Sequence, residues 1–227
     1  MTTTTTLCMN LRWNEIHKGG SRDLCKLLQI GCINSFNLNG NDKLLDEGAF
    51  HITEELETNT SLRELCLYGC GLTAEGVGYI ATALMTNKFL EVLNIGANRI
   101  CDEGIKHLAY ALKVNHSLKS LSLVSCGMTD VGLQHITDSL QHNKSLTGLK
   151  VNNFQNQLYL NEIAVKGDAV QYLTDCLKKN PTLLNLVLPA EFESTTSDIQ
   201  ETINEMRKMS LGATLIEVKG NLSLMGS

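Results

Sequence analysis

With 227 residues, 43% of them hydrophobic and 19% charged, and a formal net charge of −5, the chain is long enough for one elongated domain or two small globules. Its charges form no basic stripe, which excludes nucleic acid as an expected partner. No run of 18 apolar residues occurs, and the start MTTTTTLCMNLRWNE lacks the basic and apolar segments of a secretory signal, so a cytoplasmic protein with no membrane span is expected.

Taken in chain order, a short sentence repeats. The first copy, 6–32, carries Met9, Leu11, Asn14, Ile16 and Gly20, with Thr6 where an opening leucine belongs. The second, 33–61, reads Ile33, Phe36, Leu38 and Asn41, with one extra residue before Gly48. Copies 62–89, 90–117 and 118–145 open on Leu62, Leu90 and Leu118, 28 residues apart, and follow LxxLxLxx(N/C)x(I/L/M)xxxGxxx(I/L)xxxLxxN. Leu146 opens a sixth copy, 146–182, and Leu183 a seventh, 183–212; a half copy and tail, 213–227, hold Ala213, Ile216, Val218 and Asn221. A fixed period of this size is the signature of a solenoid, whose units bury their apolar faces only by stacking. The spacing predicts eight strands and seven helices in a single domain, 1–227.

The chemistry of one unit explains its letters. The LxL segment alternates as a short strand does, with both leucines inward. Asn14, Asn41 and Asn98 are expected to turn inward and satisfy backbone groups from repeat to repeat, with Cys70 and Cys126 replacing them in alternate copies. Thr73 and Thr129 fall where a helix N-cap is needed, and Asp102 is expected to cap the copy containing Cys101. Gly76, Gly104 and Gly132 are expected to permit close helix-to-strand approach. Ile80 with Leu84, Leu108 with Leu112, and Ile136 with Leu140 form i, i+4 apolar pairs. Asn59, Asn87, Asn115, Asn143 and Asn180 end the helices, where they read as left-handed C-caps.

The period, the three-turn helix of each unit and the alternation of Asn and Cys closely resemble leucine-rich repeats of the ribonuclease-inhibitor type. The resemblance spans about Leu7 to Asn221. It implies an α/β horseshoe of about seven to eight repeats, with parallel strands on the concave face and helices on the convex face. The family includes ribonuclease inhibitors, the sensing domains of Nod-like receptors, activators of the Ran GTPase, tropomodulin-like actin caps and several ciliary or axonemal subunits. Such a fold fixes a shape and leaves the job open.

Three departures from the period stand out. Nine extra residues lie between Val151 and Gly167; that loop either exposes Phe154, Leu158, Tyr159 and Leu160 as protein contacts or folds them back over the strand edge. The seventh unit replaces the usual turn with LPAEFESTTSDIQ, where Ser197 and Gln200 make a capping-box pattern and Ile199, Ile203 and Met206 an apolar stripe, which reads as a C-terminal cap, with a partner-binding helix as the alternative. Before Met9 no capping helix or hairpin is legible. The expectation is an open sheet edge covered by another chain, or a truncated form of a longer array.

Little remains for chemistry. The eight cysteines occupy repeat positions and form no CxxC, so reduced structural thiols are expected rather than disulfides. The sequons at Asn59, Asn115 and Asn143 fall where the repeat demands Asn, and Asn221 offers a fourth. His107 and His135 are repeat equivalents without a matching carboxylate or thiolate, a poor metal site. Nucleotide-binding and hydrolase signatures are absent. No enzyme activity, cofactor, metal or small-molecule substrate is expected.

What the register does supply is an outward strand face: Cys8, Asn10, Arg12; Ser35, Asn37, Asn39; Glu64, Cys66, Tyr68; Val92, Asn94, Gly96; Ser120, Ser122, Val124; Gly148, Lys150, Asn152; Asn185, Val187. It is small, polar and nearly uncharged, and Arg12, Trp13 and Tyr68 are its large anchors, of the residue types that dominate interface hot spots. Trp13 has a second reading, packing on the adjacent turn. The expected function is a non-enzymatic protein-protein interaction scaffold or subunit of a larger assembly, cytoskeletal or axonemal. The alternative is a regulator of a small GTPase or other enzyme, in the manner of a Ran activator or ribonuclease inhibitor.

Overall fold

The structure is a computed structural model that describes residues 7–151, positions 172 and 175, and the backbone of strands 185–189 and 215–219. Eight parallel strands form one sheet in chain order. They are β1 (Leu7–Asn10), β2 (Ile33–Asn37), β3 (Glu64–Cys66), β4 (Val92–Asn94), β5 (Ser120–Ser122), β6 (Gly148–Lys150), β7 (Asn185–Pro189) and β8 (Leu215–Lys219). Between the first six run α1 (Lys18–Cys25) with a 3-10 turn (Lys26–Ile30), α2 (Leu45–Leu56), α3 (Ala74–Thr86), α4 (Cys101–Leu112) and α5 (Asp130–Leu140). Parallel neighbours need such crossovers, and a helix is the usual one.

Register follows the sequence pattern. Phe36, Leu65, Leu93, Leu121 and Leu149 are successive partners across the sheet, and all are at most 1% exposed. With the helix residues Ile52, Ile80, Leu84, Leu108, Leu112, Ile136 and Leu140 they form one continuous core. Burying each such side chain contributes about 1.5–3 kcal/mol, and only adjacent units supply the burial. In the first repeat the pairing of Leu7 with Ile33 is irregular; from Cys8 with Ser35 the register is regular.

Two sets of asparagines stitch the units. At the strand ends, Asn41 Nδ2 donates to the carbonyls of Leu38 (2.6 Å) and Leu11 (3.0 Å), while its Oδ1 accepts from the backbone N–H of Asn14 and Ile16. Asn98 repeats this with Leu67, Ile95, Cys70 and Leu72. The Cys70 thiol, in the intervening copy, donates to the Leu38 carbonyl at 3.2 Å. Asn14 departs from expectation. It is exposed, and its amide bonds locally to the Arg12 carbonyl, because no described repeat precedes it.

The second set corrects the reading of the helix ends. Asn87 has φ −68° and ψ 128°, an extended conformation, and Asn59, Asn115 and Asn143 are likewise absent from the residues with positive φ. They are buried side-chain bridges instead of left-handed caps. Asn115 Nδ2 donates to the carbonyls of Leu84 (2.8 Å) and Asn87 (3.1 Å), and its Oδ1 accepts from the N–H of Ser117 and Leu118. Asn87 reaches Leu56 and Asn59 in the same way, and Asn143 reaches Leu112 and Asn115. Each amide satisfies backbone groups in its own repeat and in the one before. Burial of Asn59, Asn115 and Asn143 at 8%, 3% and 0% exposure closes three of the four sequons to glycosylation in the folded chain.

The helix starts also differ from expectation in one respect. Thr73 and Thr129 do cap α3 and α5, accepting from Glu75 N–H and Val131 N–H. Asp102, however, leaves its own helix uncapped and reaches the following one: its carboxylate accepts from Thr129 N–H (2.8 Å), the Thr129 hydroxyl (2.6 Å) and Gly132 N–H (3.0 Å). Asp46 does the same to Thr73. A Cβ on Gly76 or Gly132 would collide with these aspartates, and one on Gly104 would press on Ile100 and Ala74. The glycines therefore admit the preceding repeat's helix start rather than a strand.

Asn115→Ala strands two buried carbonyls, one buried N–H and one half-buried N–H. A loss of about 3 kcal/mol is expected, read as a drop in the urea unfolding midpoint, with Asn115→Asp no better because its carboxylate would face the Leu84 and Asn87 carbonyls.

Candidate functional site

The outward strand residues form rows. The first runs Cys8, Ser35, Glu64, Val92, Ser120, Gly148, and the second Asn10, Asn37, Cys66, Asn94, Ser122, Lys150. In the third, beyond the strand ends, Arg12, Asn39, Tyr68, Gly96 and Val124 follow at the same offset. Asn10, Asn37 and Asn94 each use Oδ1 to accept the N–H two residues on, a local turn that asparagine favours.

Directly after the third row the backbone turns left-handed in every described copy: Trp13, Gly40, Gly69, Ala97 and Ser125 have φ of 60°, 76°, 63°, 52° and 55°. A left-handed conformation costs a residue with a Cβ about 1–2 kcal/mol, so small residues or glycine prevail and a tryptophan stands out. Its ring lies across Gly40, where any Cβ would strike it, yet Trp13 remains 64% exposed. The ring packs on the neighbouring turn, as the second reading expects, and the rest of the side chain meets solvent. Tyr68 repeats the arrangement with its ring against Gly96.

Arg12, Trp13 and Tyr68 therefore come together. Arg12 and Tyr68 share a row with Asn39 between them, two strand spacings or about 10 Å apart, and Asn39 Oδ1 accepts the Tyr68 N–H at 2.8 Å. Phe154, Leu158, Tyr159 and Leu160 lie outside the described residues, as do the altered turn after Leu188, Ser197 and Gln200. Side chains of Asn185 and Val187 are likewise not described, although their strand register is.

Sequence reasoning overlooked the charge order within this face. The Glu64 carboxylate is held from two sides, by the Ser35 hydroxyl at 2.9 Å and the Cys66 thiol at 3.6 Å. Ser35 and Glu64 sit at the same offset in successive copies, which was the available signal.

Ser21 and His51 are buried at 2% and 8% exposure, with Ser21 Oγ 3.0 Å from His51 Nδ1. The serine hydroxyl donates to the Lys18 carbonyl at 2.5 Å. His107 lies exposed beside Glu103 at 3.9 Å. Among the described residues no group of three His, Cys, Asp or Glu could hold a metal ion, and no described helix is long and apolar enough to cross a membrane.

The described cysteines are all free thiols. Burial pushes Cys25, Cys66, Cys70 and Cys126 from 9.0 up to about 12, with the Glu64 charge adding to the effect at Cys66. A thiol must ionise to act as a nucleophile, so these four are inert at neutral pH. At pH 8 a thiol reagent is expected to label Cys8, Cys32 and Cys101 in the folded chain and the buried four only after denaturant is added. The unfolded thiols lose protons near 9.0 and the folded ones near 12, so stability is intact below pH 9 and falls as pH rises toward 12; thermal midpoints across that window check the sign.

Comparison with known proteins agrees with this arrangement. A family model described as Leucine Rich repeat matches residues 58–81, 86–109 and 114–136. Three leucine-rich repeats therefore lie within residues 58–136. No curated protein matches it. Among solved structures, the C-terminal domain of tropomodulin from Caenorhabditis elegans is similar with a TM-score of 0.55 at 11% identity, over 86% of this chain and 100% of that one. Leiomodin-1 actin-binding site 2 is similar with a TM-score of 0.49 at 21% identity, over 83% of this chain and 91% of that one. At such identities the likeness concerns the fold.

Proposed function

We propose that this leucine-rich repeat protein is a non-enzymatic protein-interaction scaffold, a cytoplasmic subunit of a larger assembly whose contact is centred on Arg12, Trp13 and Tyr68. The observation that carries the reading is Trp13: a large apolar ring held in a conformation that disfavours it, against a glycine that makes room for it, and still mostly in solvent. Backbone strain of this kind persists where the surroundings over-determine it, and it clusters at binding sites. The loop bearing Phe154, Leu158 and Tyr159 is a second proposed contact. Alternation of the Asn41 and Asn98 turns with the Cys70 turn supports the ribonuclease-inhibitor type of repeat, with 28-residue units, a horseshoe of seven to eight repeats over 1–227 and the strand rows on its concave side.

The assembly proposed is cytoskeletal, with axonemal complexes as one home. Actin filaments are the first partner to assay, because the sequence resemblance includes tropomodulin-like actin caps. Combined Arg12→Ala, Trp13→Ala and Tyr68→Ala substitution is expected to abolish cosedimentation with, or capture of, the partner while the unfolding midpoint moves little. An exposed hot-spot residue carries about 2 kcal/mol or more of binding, so the triple variant should weaken binding by far more than a hundredfold. If the variant instead loses stimulation of GTP hydrolysis by a small GTPase, the regulator reading replaces the scaffold; unchanged capture of every partner rejects this face.

A further inference from the structure

The charge order of the strand face points to one kind of segment. Glu64 is the sole carboxylate on the outward rows of β1 to β6, and both its oxygens are already fixed by the Ser35 hydroxyl and the Cys66 thiol. Those donors are neutral, so they orient the carboxylate and leave its charge uncompensated. The basic residue next to it in sequence, Arg63, is turned away: its guanidinium lies over the Phe89 ring at 5.3 Å and faces Glu91 at 3.9 Å. Among the described residues no lysine, arginine or histidine forms an ion pair with Glu64. A carboxylate offers about four lone-pair sites, and two hydrogen bonds leave room for a bidentate cation.

The strands on either side supply the complementary groups. Asn37 on β2 and Asn94 on β4 are register partners of Cys66. Their Oδ1 atoms are occupied by the N–H of Asn39 and Gly96, which fixes each amide and leaves its NH2 as the donor toward solvent. The two amides are separated by two strand spacings, about 10 Å, with Glu64 offset about 7 Å along the strand between them. Three residues of extended chain also span about 10 Å. Two outward amide donors around one outward carboxylate match two peptide carbonyls around one basic side chain.

We propose that β2, β3 and β4 dock an extended polypeptide segment whose lysine or arginine pairs with Glu64 while its backbone carbonyls accept from Asn37 and Asn94. This deepens the scaffold reading and rests on it. Arg12 and Lys150 mark the ends of the same face on the first and sixth units, so the segment has one basic residue at its centre rather than a polybasic run. Like charges opposite one another at the flanks would oppose binding, and that repulsion supplies the selectivity.

The test is selection of a random peptide library, displayed on phage, against the full chain, followed by affinity measurement of the enriched peptides. The enriched sequences are expected to share a Lys or Arg at one position. Glu64→Gln, whose single amide oxygen can still accept from Ser35 while its NH2 faces the Cys66 sulfur, should weaken them by about tenfold, and raising salt should weaken the wild type more than the variant. Glu64→Lys should enrich acidic peptides instead. Enriched peptides without a shared basic residue, or binding unaffected by Glu64→Gln, overturn the inference. If such peptides still depend on Tyr68, the scaffold reading stands without it; if no peptide depends on Glu64, Arg12, Trp13 or Tyr68, both fall.

Discussion

Everything in this chain depends on backbone groups at the helix-to-strand junctions that the helices and strands cannot themselves satisfy. A helix leaves its last carbonyls without internal partners, and here those carbonyls are buried against the next unit. The Asn59, Asn87, Asn115 and Asn143 amides take up that demand, each donating backward to the previous unit and accepting from the start of its own strand. A side-chain amide presents two N–H donors and a carbonyl acceptor on one planar group, which matches this demand. The leucines then have a fixed frame to fill. Without the amides the apolar stacking would be unchanged in area but would bury unpaired polar groups, at a cost comparable to what the leucines contribute.

Most of this was legible in the sequence, and the places where it was not share a cause. Strand register, the core leucines, the inward Asn41 and Asn98 and the threonine caps all follow from periodicity within one copy, and the structure has them as expected. The misread residues are those whose partners lie one copy away. Asn87 at a helix end fits a left-handed cap as well as a bridge, because the letter and its position are the same for both, and only the neighbouring Leu56 carbonyl decides. Asp102 looks like a cap for the helix it begins, yet its oxygens point to Thr129. Asn14 carries the ladder letter but lacks a described unit before it. A repeat reveals its own geometry readily and its neighbour's demands poorly.

The candidate surface obeys the same logic from the other side. Its rows are polar and small because every outward position sits about 4.8 Å from its equivalents, too close for large side chains in succession. Trp13 and Tyr68 are accommodated only because Gly40 and Gly96 stand next to them. The proposed anchors rest on residue type. That one of them is conformationally strained, and that Glu64 is held by Ser35 and Cys66, shows only in three dimensions, since neither the sign of φ nor the direction of a hydroxyl is written in a single residue.

The reach of Asp46 to Thr73 and of Asp102 to Thr129 makes the repeats unequal partners. A unit with the aspartate gives a cap, and the unit after it receives one, so the described stretch 33–145 is built from couples, 33–89 and 90–145, rather than from single copies. Excising 62–117 would join a giver to a receiver and leave the seam chemically whole. Excising 90–117 alone would set two receivers side by side, with Thr129 robbed of its carboxylate. The natural quantum for lengthening, shortening or unravelling this array is therefore the pair.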